Sequence, residues 1–146
     1  METEKDIGVR PYAPHLYYKL YRAMEDEGYA ASDMVFDREL TFVSDLGFFT
    51  VRMIGEIPQL VHFLVWPEKR TWHNSIRHYR EMRTVLIDLG YTMAIMAQPK
   101  NRPDIKTCIE LAAGRKNIEP YSESASDFFY LVRFGRRYEN LQPLNH

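Results

Sequence analysis

Residues 59–97 read QLVHFLVWPEKRTWHNSIRHYREMRTVLIDLGYTMAIMA, and this stretch decides the fold. Gln59–Trp66 is strongly apolar and predicts a central strand covered on both faces. Pro67 ends it. Thr71–Leu89 predicts the longest helix, with Ile76, Tyr79, Met82, Leu86 and Leu89 on one face and Arg77, Arg80, Glu81 and Asp88 elsewhere. Gly90 suits the position just past a helix end. Tyr91–Ala97 predicts a second buried strand. A strand, a helix and a strand in this order make a crossover unit inside a sheet.

Working outward, Ile7–Tyr12 predicts a short first strand, and Pro14 opens a helix running to about Glu27. Leu16, Leu20, Ala23 and Met24 recur at helical spacing, and Gly28 stops the pattern. Residues 30–37 read as a loop or a short second helix. Glu39–Val43 and Phe48–Ile54 predict strands joined to Gln59–Trp66 by short links, as in an antiparallel meander. Pro103 starts a helix ending near Gly114, with Ile105, Ile109 and Ala112 facing inward. Asn117–Ser122 and Phe128–Phe134 predict a closing strand pair, and the polar tail from Arg136 is expected to fray. The fold class is therefore α+β: a mixed, mostly antiparallel sheet with helices on both faces, in a single domain over residues 1–146.

The composition fits this class. Ten Tyr and eight Phe within 45% hydrophobic residues supply enough apolar surface for one core. A formal net charge of −1 gives no global field that selects nucleic acid or an anionic membrane. Cys108 is the single cysteine, so no intramolecular disulfide forms, and it reads as a small buried helix residue. Residues 1–6 lack the apolar region of a secretory signal, and no apolar run approaches the roughly 20 residues that span a bilayer. The expected location is cytoplasmic.

The element order, with the opening Val9-Arg10-Pro11-Tyr12 and the run Val65-Trp66-Pro67-Glu68-Lys69-Arg70-Thr71-Trp72-His73-Asn74-Ser75, resembles the GNAT (Gcn5-related N-acyltransferase) superfamily. Many of its members carry a Val-x-Pro-Glu-x-Arg-Gly-x-Gly-x-Gly-like stretch where a strand meets a helix. Val65, Pro67, Glu68 and Arg70 match it, while Thr71, His73 and Ser75 stand where glycines are usual. The resemblance implies acetyl-CoA as acyl donor, its pyrophosphate on the helix N-terminus. Val65, Lys69, Arg70, Thr71, Trp72, His73, Asn74, Ser75 and Arg77 would form that site, the cations adding charge-assisted donors. The other reading of these residues is an ordinary strand–loop–helix corner with Thr71 or Asn74 as N-cap.

The resemblance also implies a base on the strand before the corner and a tyrosine acid on the following helix. Gln59 stands at the position of the base and cannot act as one. His62, on the same strand, is the candidate catalytic base, because imidazole titrates near neutrality. It reads equally as a hydrogen-bonded sheet histidine. Glu56 is a further carboxylate near the strand entrance. Asp104–Leu111 contains no tyrosine, which leaves Tyr121 on a neighbouring strand. More loosely, the chain resembles short GNAT-like proteins of tailed bacteriophages, some of them internal virion or virion-assembly proteins. That likeness lies in size, the altered loop, the long charged helix, Ile118-Glu119-Pro120-Tyr121 and Asp127-Phe128-Phe129-Tyr130-Leu131. It implies a host-cytoplasm or virion location.

Two functions follow as expectations. One is an N-acyltransferase moving an acetyl group to an amine of a protein or small molecule. The other is a catalytically silent module of virion assembly or host takeover, binding a protein through Tyr17, Tyr18, Tyr21 and Trp72. A third, weaker motif is the basic stretch Lys69, Arg70, Arg77, Arg80 and Arg83 with Trp72, His78 and Tyr79 interleaved, which suits single-stranded nucleic acid or a solvated helix face. No metal site is expected, since His73 and His78 do not share a helix face.

Overall fold

Proline and glycine punctuation cuts the chain into its elements. The structure, a computed structural model, describes residues 8–29 and 40–135. The ambiguous segment 30–37 and the tail from Arg136 lie outside the described residues. Strands are β1 (Arg10–Pro11), β2 (Thr41–Val43), β3 (Gly47–Ile54), β4 (Ile57–Val65), β5 (Met93–Pro99), β6 (Ile118–Glu123) and β7 (Asp127–Arg133). Helices are α1 (Tyr17–Asp26), α2 (Trp72–Asp88) and α3 (Pro103–Ala113). Single 3₁₀ turns at Pro14–Leu16 and Pro67–Lys69 lead into α1 and α2, and Arg115–Asn117 follows α3.

The seven strands form one sheet in the order β1-β2-β3-β4-β5-β7-β6. Only β4 and β5 pair in parallel, because α2 carries the chain back across the sheet; the other pairings are antiparallel. The expected first strand shrinks to two residues, with Arg10 opposite Val43 and Pro11 opposite Phe42. Pro11 has no N–H to give a ladder, which suits it to this edge.

Each face of the sheet carries its own core. Leu20, Ala23 and Met24 of α1 pack with Phe48, Leu64 and Trp66 on one face. Tyr79, Met82 and Leu86 of α2 and Ile109 of α3 pack with Phe49, Leu60 and Ala94 on the other. β4 is thus covered on both faces, as its apolar run suggests. Fully burying such side chains contributes roughly 1.5–3 kcal/mol each. Leu89, expected on the inner face of α2, is 57% exposed because it is the C-cap. Gly90 follows at φ +102°, its N–H donating to Ile87 O at 2.9 Å while Tyr91 N–H donates to Leu86 O at 2.9 Å. This paired closure needs a left-handed residue, which glycine adopts without strain. No helix among the described residues is long and apolar enough to cross a membrane.

Candidate active-site cleft

β4 and β5 begin side by side and then part. A single register pair, Gln59 with Ile95, joins them. Both strands run on toward Val65 and Pro99, and a cleft of about 570 Å³ opens between them. A bulge in β4 accompanies the separation. Thr50 faces His62 and Val51 faces Leu60, so Val61 is the extra residue. Ligands in sheets with parallel strands sit beyond the strands' carboxyl ends, where the chain turns away in different directions. Here those ends are the corners Val65 to Trp72 and Pro99 to Pro103.

The first corner is built by its own side chains. Thr71 is the N-cap of α2, its hydroxyl accepting from Asn74 N–H at 3.0 Å. Asn74 Nδ2 donates to Lys69 O at 2.8 Å, closing the loop beneath it. Of the two expected caps, Thr71 is therefore the one used. Helix geometry leaves the first amides of α2, those of Trp72 and His73, without intrahelical acceptors. With the positive end of the helix dipole they make a place for an anion. Thr71→Ala is expected to cost about 1 kcal/mol of stability, the usual worth of such a cap, measurable as a lower denaturant midpoint.

Val65, Arg70, Thr71, Trp72 and Ser75 of the expected site line the cleft. Lys69, His73, Asn74 and Arg77 do not; His73 and Arg77 are exposed. Arg70 is held on two sides. Its Nε donates to Val65 O at 3.2 Å, and its Nη1 contacts Asp26 at 2.5 Å and Glu27 at 2.9 Å. Its Nη2 is buried and has no hydrogen-bond partner among the described residues.

The expected catalytic groups lie elsewhere. Strand alternation puts His62 with Leu64 on the face away from the cleft wall. It is buried on the α1 face, its ring 6.3 Å from Phe48 and 6.1 Å from Tyr29. Gln59 sits at the apex of the splay and accepts from Arg52 Nη2 at 3.2 Å. Glu56 is in the exposed turn before β4, at the end opposite the cleft. Tyr121 is on β6, the far edge of the sheet, with β7 between it and β5.

Two proton-bearing groups line the cleft instead. Cys108 of α3 is half-buried, and burial pushes its thiol up against the opposing effect of a hydrogen bond with Ser75. Tyr79 of α2 is 2% exposed; burial raises its phenol far above the ordinary value, and its hydroxyl has no hydrogen-bond partner among the described residues. Both are protonated at neutral pH and are suited to donate rather than accept. The second corner adds Asn101, Arg102 and Asp104. Hydrogen bonding to Arg102 holds the Asp104 carboxyl below its usual range. The signal for this corner was Pro103 at the first turn of a helix just after a buried strand, the same pattern as Pro67 before α2.

The other surfaces are placed as follows. Tyr18 is 73% and Trp72 50% exposed, while Tyr17 and Tyr21 pack partly against the α1 core. In the basic stretch, His78 and Tyr79 are buried, which removes two of the three rings that would stack on bases.

No protein-family model matches the sequence. No curated protein matches it either. Solved structures do match by shape. The ribosomal-protein-S18-alanine N-acetyltransferase of Escherichia coli superposes with a TM-score of 0.67 at 11% identity, covering 91% of this chain and 97% of that one. The PaiA N-acetyltransferase of Thermoplasma acidophilum, in complex with coenzyme A, gives 0.62 at 9% identity, covering 86% and 97%. N-acetylglutamate synthase of Neisseria gonorrhoeae, complexed with coenzyme A and N-acetyl-glutamate, gives 0.60 at 11% identity; 88% of this chain matches 35% of that one. The fold is that of the GNAT N-acetyltransferases.

Proposed function

We propose that this chain is an N-acyltransferase that binds acetyl-CoA in the β4–β5 cleft and passes the acetyl group to an amine. The observation that carries the reading is the splay itself. A single register pair lets two parallel strands open into a cleft whose mouth is the capped N-terminus of α2. The residues present fit the donor. The free amides of Trp72 and His73 and the guanidinium of Arg70 suit phosphate oxygens. The walls beyond them, including Leu60, Met96 and Ile109, are apolar enough for an acyl arm.

The thioester supplies an activated carbonyl and a thiolate leaving group. The protein's part is to align them with the amine, exclude water and hold protons where charge develops. Cys108 and Tyr79, both kept protonated by burial, are the groups able to donate toward a thiolate. Gln59 offers an amide, which orients but cannot take a proton. The acceptor's proton therefore leaves through water in this reading.

The experiment is a thermal-shift titration with acetyl-CoA and CoA. A ligand bound by the native state alone at a hundredfold over Kd stabilises by about 2.7 kcal/mol, so the melting temperature is expected to rise by several degrees. Arg70→Ala is expected to shrink that rise. No shift at millimolar ligand would end this reading.

A second reading is favoured by one observation: Arg70 is already engaged by Asp26 and Glu27. In it the chain is a silent GNAT-like module with a protein partner, of the phage assembly or host-takeover kind. A flat thermal titration together with a specific partner recovered from lysate would support it.

A further inference from the structure

At the mouth of the cleft, two guanidinium groups from opposite sides meet one carboxylate. Arg70 follows β4 and Arg102 follows β5, so each stands at the end of one splayed strand. Glu27, the C-cap of α1, reaches across the gap between them. Its Oε2 lies 2.9 Å from Arg70 Nη1 and its Oε1 lies 3.4 Å from Arg102 Nη1. All three residues line the cleft. The chain turn after α1 fixes this reach, with Gly28 N–H donating to Glu25 O and Tyr29 N–H to Met24 O.

We propose that Arg70 and Arg102 form a two-arginine subsite for an anionic oxygen group, and that Glu27 is the protein's own occupant of it. An incoming phosphate or carboxylate binds by displacing Glu27 from both guanidiniums. Three features support the exchange. The Glu27 pairs are partly exposed, with side-chain accessibilities of 25% for Glu27, 30% for Arg70 and 46% for Arg102, so the contact is weak enough to be replaced. Each arginine keeps an anchor when Glu27 leaves. Arg102 holds Asp104 through Nε at 3.1 Å and Nη2 at 3.0 Å, and Arg70 holds Val65 O and Asp26. Arg70 Nη2 is buried beside the cleft without an acceptor among the described residues, a donor that a second oxygen of the ligand would satisfy. A dianionic group would thus find two preset guanidinium donors instead of two loose side chains. The inference does not require that an acyl group be transferred.

The test is calorimetric titration of the whole chain with inorganic pyrophosphate and, separately, with succinate. The proteins are the wild type, Glu27→Gln, Arg102→Ala and the double variant. Glu27→Gln is expected to tighten pyrophosphate binding by about 3–10-fold, the size of a partly exposed ion pair. In the Arg102→Ala background the same change should gain less than about twofold, because the shared carboxylate then has only one arginine to release. Glu27→Ala should behave like Glu27→Gln. Tightening for succinate alone would keep the subsite and assign it to a carboxylate-bearing ligand. The proposal is overturned if Glu27→Gln leaves both affinities unchanged, or if its gain persists undiminished without Arg102, which would be a general charge effect. It is also overturned if no variant binds either anion at millimolar concentration. Acetyl transfer measured on the same proteins separates the two claims. Transfer without any Glu27 effect removes the subsite alone, and a Glu27 effect without transfer removes the enzymatic reading alone.

Discussion

Gly47→Ala is expected to destabilise the protein by more than about 4 kcal/mol, at the extreme end of single substitutions. A Cβ at this position would lie 1.9 Å from Leu64 O, 2.8 Å from Val65 Cα and 2.9 Å from Leu64 C. All three are backbone atoms of the neighbouring strand, so no rotamer change relieves the overlap. Gly47 is opposite Val65 in the β3–β4 ladder, where β4 enters the cleft corner. Relief means moving the end of β4 in a core packed as tightly as a crystal. Urea unfolding would show a midpoint far below that of the wild type, or no cooperative transition. A loss under about 1 kcal/mol would mean that the two strands do not approach this closely. Because Val65 lines the cleft, the coenzyme A binding proposed above should also weaken in any folded fraction.

Glu81→Ala is expected to cost about 1–3 kcal/mol, the usual result of leaving a buried hydrogen-bonding group without its partner. His78 is fully buried between two acceptors. Its Nε2 lies 3.1 Å from Phe48 O, which can only accept, so that nitrogen carries a proton. Its Nδ1 lies 3.0 Å from Glu81 Oε1, which also accepts from the Ser44 hydroxyl at 2.6 Å. Ser44 in turn holds the β2–β3 turn, its Oγ accepting from Leu46 N–H at 3.1 Å and its carbonyl from Trp66 Nε1 at 3.0 Å. The network ties α2 to the turn before Gly47. Removing the carboxylate strands the imidazole where water cannot reach it. The double change His78→Leu with Glu81→Met should recover part of the loss, since the buried imidazole is gone and only the Ser44 hydroxyl and Phe48 O lose a partner. Equilibrium denaturation of the single and double variants checks this. A double variant no more stable than Glu81→Ala would show that the damage comes from packing.

Neither residue announced this role in sequence. His78 and Glu81 read as parts of a polar helix face, and their neighbours Arg77 and Arg80 are indeed exposed. His78 and Glu81 are three positions apart, which puts them on one side of the helix, but only the sheet beneath made that side the inner one. Elements were more legible than contacts. The corner at Pro67, the helix to Leu89, its glycine stop and the strand after it all rest on local signals: a missing N–H, a cap hydroxyl, a left-handed residue and a 3.6-residue period. The last strand pair and the helix from Pro103 were legible for the same reason.

The active-site reading was thinner, and β4 shows why. Strict alternation back from Val65 would put Phe63, Val61 and Gln59 on one face and Leu64, His62 and Leu60 on the other. The bulge at Val61 breaks that alternation, so Leu60 joins Phe63 on the α2 face while Leu64 joins the α1 core. His62 lies after the bulge and stays with Leu64 on the α1 side, the face that alternation already gives it. A one-residue irregularity carries no composition signal, yet it reassigns every side chain before it. The same limit hid the pairing of Glu27 with Arg102, 75 residues apart in the chain.

By itself, then, the sequence determined the order and kind of the elements and the capped start of α2, because turns, caps and hydrophobic periods are short-range. Tertiary structure alone decided where β4 and β5 separate, which face Leu60 takes and which carboxylates reach Arg70. Those depend on strand register and on helices meeting across the sheet, and no local stretch of the chain encodes either.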